Sequence, residues 1–134
     1  MAKMDSKNLL GRAVEKKRTG RLEGALADLD QILAADPGHF EALFHSGAVL
    51  LDLGDPEAAV ARLRAATDID ARPAAPWGVL GKALAAKGDA VGAIQALGEA
   101  VDRVPTDADL RTMLIQVLDH AGETEAAIDQ YAAL

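Results

Sequence analysis

The sequence contains no cysteine and few aromatic residues. Without cysteine, disulfides and thiolate metal sites are excluded, although the cellular compartment is not decided by this. No stretch approaches the ~20 consecutive apolar residues that a membrane-spanning helix needs. The first residues lead into no apolar segment of the kind found in Sec signal peptides. We therefore expect a cytoplasmic protein with no membrane partner, and the alanine-rich composition favours a bacterial origin.

Charge is distributed unevenly along the chain. Residues 1–21 carry seven basic and two acidic side chains, so this segment has a net charge of +5 while the remainder has −12. The acidic remainder argues against nucleic acid as a partner, because neutralising phosphates requires a basic face. The basic segment either contacts an acidic surface, including another copy of this chain, or is simply a solvated helix end.

Glycine recurs at a fixed interval of 34 residues, and this spacing organises the chain. An alanine follows each glycine by five residues, and a large apolar residue follows each alanine by four. The glycines are Gly20, Gly54, Gly88 and Gly122, and the alanines are Ala25, Ala59, Ala93 and Ala127. A fixed period of 20 to 50 residues is typical of repeat architectures.

The apolar residues between these glycines follow helical spacing and predict eight helices, two per repeat, with no strand. Each glycine predicts the end of the first helix of its repeat, because glycine tolerates the left-handed conformation found there. Asp55 and Pro56 predict a helix start, and Thr106 is predicted to cap the seventh helix.

On these residues the chain resembles the tetratricopeptide repeat family. The four units are residues 6–39, 40–73, 74–107 and 108–134, within a single domain over 1–134. The resemblance implies an all-α, right-handed superhelix of about four helix-turn-helix repeats. It departs from the family pattern at Arg12 and Lys16, so we expect the first helix to face solvent on one side. It also departs at Arg111 and Ile115, so we expect the last helix pair to pack less tightly.

The resemblance also implies that the first helix of each repeat lines a concave groove, which holds a peptide or helix from a partner protein. Lys17 and His120 occupy such positions, and the residues that we select as the groove are Leu10, Val14, Phe44, His45, Val79, Lys82, Met113 and Gln116. The apolar members favour an apolar or amphipathic ligand, unless they turn into the core between helices. The basic residues with which some family members clamp chaperone C-terminal carboxylates are absent, so that ligand is not expected.

A self-assembling scaffold is the alternative function. Ile128, Tyr131 and Leu134 would form an apolar patch on the last helix, and the basic first repeat would meet the acidic or uncovered last repeat of another copy. The same ending would also be explained by a chain end that is not natural. The sequence leaves open whether the protein is a monomer or a homo-oligomer.

Catalytic chemistry has little support in the sequence. The three histidines lie in different repeats, and none has a second histidine at helical metal-site spacing. Asp28 and Asp30 point to different sides of one helix, and both are expected to be solvated surface acids. We therefore expect no catalytic residues, no cofactor and no metal, and classify the protein as a non-enzyme.

Overall fold

The computed structural model describes residues 5–123 together with residues 126, 129 and 130. Over these residues the chain forms seven α-helices and no strand, which confirms the all-α fold class. In chain order the helices are α1 Ser6–Arg18, α2 Leu22–Ala35, α3 Phe40–Asp52, α4 Pro56–Ile69, α5 Ala74–Lys87, α6 Ala90–Arg103 and α7 Ala108–His120. The predicted eighth helix lies largely outside the described residues.

The chain divides into two compact units, Met1–Asp70 and Ala71–Leu134, which are described separately below. The first unit contains α1 to α4 and the second contains α5 to α7, and within each unit every helix packs against the next one in the chain. The single domain over 1–134 stays a prediction. None of the described helices is long and apolar enough to span a membrane.

Most helices begin at an aspartate whose carboxylate accepts a hydrogen bond from a backbone N–H three residues later. Asp55 caps α4 through the amide of Ala58 at 3.1 Å, as the sequence predicts. At α7, however, the cap is Asp107 rather than Thr106, with its carboxylate 3.2 Å from the amide of Leu110. These bonds satisfy amides that have no partner within the helix.

The four periodic glycines follow the ends of α1, α3, α5 and α7, and all have positive φ, between 81° and 89°. The residue after each glycine donates a backbone hydrogen bond to a carbonyl five residues back, as from Asp55 to Leu50 at 2.9 Å. This arrangement closes the helix end and requires a residue that tolerates the left-handed region, which is why glycine recurs.

The core of the first unit lies between successive helices. Its buried residues are Leu9, Ala13, Ala25, Leu29, Ile32, Ala42 and Val49. Between α3 and α4 the helices approach so closely that a Cβ added to Gly47 would lie 2.6 Å from Cγ of Leu63. The small residues of the repeat therefore set the spacing between the helices.

The second unit repeats this arrangement. A Cβ added to Gly81 of α5 would lie 2.5 Å from Cγ of Leu97 on α6. A second buried cluster joins α6 to α7, and its members are Leu97, Val101, Leu114, Ile115 and Leu118. Trp77 is held at the start of this unit, because its indole N–H donates to the carbonyl of Ala71 at 2.9 Å and the Arg103 guanidinium lies 4.9 Å from its ring.

Two departures from the repeat pattern have a structural explanation. Arg111 is only 9% exposed, and its guanidinium donates to the side chain of Gln130 at 2.7 Å and to the carbonyl of Pro105 at 2.9 Å. Ile115 is buried beside it in the α6–α7 core. The guanidinium of Arg111, at a position where the family pattern has a bulky apolar residue, is therefore accommodated by hydrogen bonds.

Asp28 contradicts the expectation that it is a solvated acid. It is 5% exposed, and its carboxylate lies 2.9 Å from Nζ of Lys16 and 3.4 Å from the guanidinium of Arg12. The two basic residues that depart from the repeat pattern in α1 therefore bind a buried carboxylate of α2. Asp30 is exposed as expected and pairs with Arg62.

Candidate functional site

In the first unit, four of the predicted groove residues belong to α1 and α3, two helices that meet where Lys17 lies over the Phe44 ring. Val14 of α1 is 38% exposed, although it is a large apolar residue, and Leu10 is half-buried one turn before it. Phe44 and His45 of α3 are also half-buried, with their ring centroids 5.0 Å apart. We call this surface the α1–α3 face; it presents apolar side chains that are only partly covered.

Lys17 lies over this face. Its ammonium is 5.7 Å from the centroid of the Phe44 ring, within the distance at which a cation is attracted by an aromatic face. Burial lowers the pKa of the Lys17 ammonium, while the more distant carboxylate of Asp52 raises it. The charged form of this lysine is therefore less well solvated than that of an exposed lysine.

His45 is the second polar group of the face. Burial lowers its pKa below the usual value, the Lys17 charge lowers it further, and Glu41 opposes the shift. Its Nδ1 is buried and has no hydrogen-bond partner among the residues that the structure describes. The imidazole is consequently neutral near pH 7 and behaves as part of the apolar wall beside Phe44.

In the second unit, a cleft opens between α5 and α7. Near the start of these helices the Leu110 side chain of α7 reaches α5, since a Cβ added to Gly78 would lie 2.9 Å from its Cδ2. Towards their ends the helices leave room for a cleft with two adjacent parts, of about 340 Å³ and about 190 Å³. We call this the α5–α7 cleft, and its lining residues are Gly81, Lys82, Ala85, Gly88, Ala90, Leu97, Met113, Gln116, Val117 and His120.

The cleft contains three of the predicted groove residues, namely Lys82, Met113 and Gln116. Val79 is half-buried on α5 and lines neither part of the cleft. Ala85 and Val117 were not selected from the sequence, although both line both parts. The missed signal is the small side chain of Ala85, which leaves space opposite Val117.

Across the residues that the structure describes, no three histidine, aspartate or glutamate side chains are grouped so that they could hold a metal ion. The residues predicted to support self-association, Ile128, Tyr131 and Leu134, lie outside the described residues. Each unit presents a partly apolar surface with a basic side chain on it, namely the α1–α3 face with Lys17 and the α5–α7 cleft with Lys82.

Comparisons with known proteins agree with this fold. A family model described as tetratricopeptide repeat matches residues 18–83 and 84–134. A crystal structure of MamA is 28% identical in sequence, with a TM-score of 0.89, and the match covers 96% of this chain and 70% of that one. No curated protein matches the chain in a sequence search.

Two further solved structures share the fold at lower identity. YrrB, described as a TPR protein with an unusual peptide-binding site, is 23% identical with a TM-score of 0.88, covering 96% of this chain and 66% of that one. The first TPR domain of Spaghetti (RPAP3), bound to the HSP90 peptide SRMEEVD, is 13% identical with a TM-score of 0.84. That match covers 87% of this chain and 93% of the other.

Proposed function

Because the chain belongs to the tetratricopeptide repeat family, we propose that it is a protein-interaction module that binds a peptide or helix of a partner protein on the first helices of its repeats. The fold and its structural neighbours support the interaction module in general. The peptide-binding neighbours, YrrB and the Spaghetti domain, support a peptide as the ligand.

The observation that carries the proposal is the α5–α7 cleft. Its floor is apolar, formed by Leu97, Met113 and Val117, while Lys82, Gln116 and His120 supply polar groups and are exposed. Concave sites of this kind, apolar with a few polar groups that fix orientation, are typical of ligand sites in proteins. An amphipathic segment would bury its apolar side chains against the floor and leave its polar side to solvent.

Selection from a random peptide library on the immobilised chain would test the proposal. We expect enriched peptides to bind the chain in solution, measured by fluorescence anisotropy, and to lose at least ~10-fold in affinity with Met113→Asp, which places a charge against the apolar floor. Ile69→Asp is the control, because Ile69 is 50% exposed on α4 and belongs to neither surface. If no peptide is enriched, or if binding is unchanged by Met113→Asp with helicity retained, the cleft is not the binding site.

A further inference from the structure

Lys17 is a half-buried cation without an ion-pair partner at close range. In the part of the chain that the structure describes, no carboxylate oxygen lies within 4.0 Å of its ammonium. Lys16, the preceding residue on α1, is by contrast paired with buried Asp28 at 2.9 Å. Asp52 attracts Lys17 only from a greater distance. The ammonium has therefore lost part of its hydration without gaining a direct counter-charge.

On the side of α3, Lys17 lies over an aromatic ring. Its ammonium lies 5.7 Å from the Phe44 ring, and the His45 ring packs against Phe44. On α1, Val14 lies one turn before Lys17 and is 38% exposed. Among the described residues, a cation with no direct ion pair thus adjoins apolar surface that is incompletely covered, and each of these features lowers the cost of binding a ligand group of matching chemistry.

We infer that the α1–α3 face binds a segment of the partner protein in which an acidic residue adjoins a large apolar residue, with the carboxylate on the Lys17 ammonium and the apolar side chain against Val14 and Phe44. This assignment rests on the proposed function and adds the chemistry of the ligand to it. The +5 charge of residues 1–21 favours approach of the same acidic segment. A basic segment would place a second cation beside Lys17 and is disfavoured.

The library selection described above tests this inference when it is repeated on the chain carrying Met113→Asp, because peptides that bind the α5–α7 cleft are then lost and the composition of the remaining peptides reports on the α1–α3 face. We expect aspartate or glutamate next to leucine, isoleucine, valine, phenylalanine or methionine more often than in the unselected library. Replacing that acid by its amide in the peptide should weaken binding by ~10-fold, the usual size of a charge-assisted hydrogen bond. Lys17→Gln should weaken the acidic peptide by a similar factor and make the two peptides bind equally, whereas Lys17→Arg should preserve the preference.

Two further variants separate a binding role from a structural one. Arg64→Gln is the matched control, because Arg64 is exposed on α4 and its replacement removes the same charge from the same unit; binding should change by less than ~2-fold. Asp52→Asn removes the carboxylate that attracts Lys17 and should strengthen binding of the acidic peptide. A merely structural role for Lys17 would not produce gains and losses of opposite sign.

The possible outcomes distinguish this inference from the proposed function. Peptides that require Met113 but show no acidic preference and are indifferent to Lys17→Gln would overturn the inference and leave the proposed function in place. A library that yields no binder would overturn both. A dimer that forms in solution and is lost with Lys17→Gln, measured by light scattering, would show that a second copy of the chain occupies the face, and would overturn the assignment to a peptide.

Discussion

Gly81 and Gly98 are helical glycines of the same unit, and their replacement by alanine should change stability in opposite directions. Gly81 lies inside α5, where an added Cβ would be 2.5 Å from Cγ and 2.8 Å from Cδ2 of buried Leu97. Gly98 lies inside α6, where the added Cβ would meet nothing within 4 Å. The two substitutions are chemically identical and differ in the space available.

The magnitudes follow from two opposing terms. Alanine is favoured over glycine in a helix interior by ~1 kcal/mol, which both variants gain. At Gly81 the extra methyl also overpacks the α5–α6 contact, at a cost of ~1–3 kcal/mol. Leu97 cannot move away easily, because it is 1% exposed and its own amide would lie 3.3 Å from the new Cβ. We expect Gly98→Ala to raise the free energy of unfolding of the unit by ~1 kcal/mol. The free energy of unfolding of the Gly81→Ala variant should be ~1–3 kcal/mol lower than that of the Gly98→Ala variant.

Trp77 provides the assay, because it is the single tryptophan and belongs to the same unit as both glycines. Urea denaturation followed by its fluorescence gives the free energy of unfolding of that unit. Combining Gly81→Ala with Leu97→Ala should relieve the contact, so that the alanine at 81 becomes neutral or stabilising in that background. If Gly81→Ala alone stabilises as much as Gly98→Ala, the close approach of α5 and α6 does not limit the packing and the reasoning is refuted.

Two other predictions concern charged groups of the first unit. Asp28→Asn should lower the free energy of unfolding by ~1–3 kcal/mol, since the half-buried ammonium of Lys16 loses its buried counter-charge, whereas Asp30→Asn at an exposed pair should cost less than ~1 kcal/mol. Equal losses in thermal melts would contradict this. Because burial and Lys17 lower the pKa of His45 below 6.5 in the folded state, the unfolded chain takes up the proton first. Stability should therefore fall as the pH drops through about 6.5, seen as faster hydrogen exchange in α3, and His45→Leu should remove this dependence.

The predicted binding residues agree with the structure unevenly. Lys82, Met113 and Gln116 line one cleft because equivalent positions of consecutive repeats are brought onto one surface by the repeat itself. The cleft is closed at one end, where the Leu110 side chain contacts Gly78, and is open at the other end, where the small side chain of Ala85 leaves space. Such contacts join helices more than 30 residues apart in sequence, and the repeat pattern does not specify them.

The sequence by itself determined the all-α fold and the ends of the first helix of each repeat. Both are local properties: apolar spacing defines a helix face, and a positive φ after α1, α3, α5 and α7 requires the periodic glycines. Only the tertiary structure decided that Asp28 is buried between two cations and that Lys17 lies over Phe44 without a close counter-charge. The physical reason is that the burial and charge environment of a side chain depend on the neighbouring helices that pack against it, and these are distant in the chain.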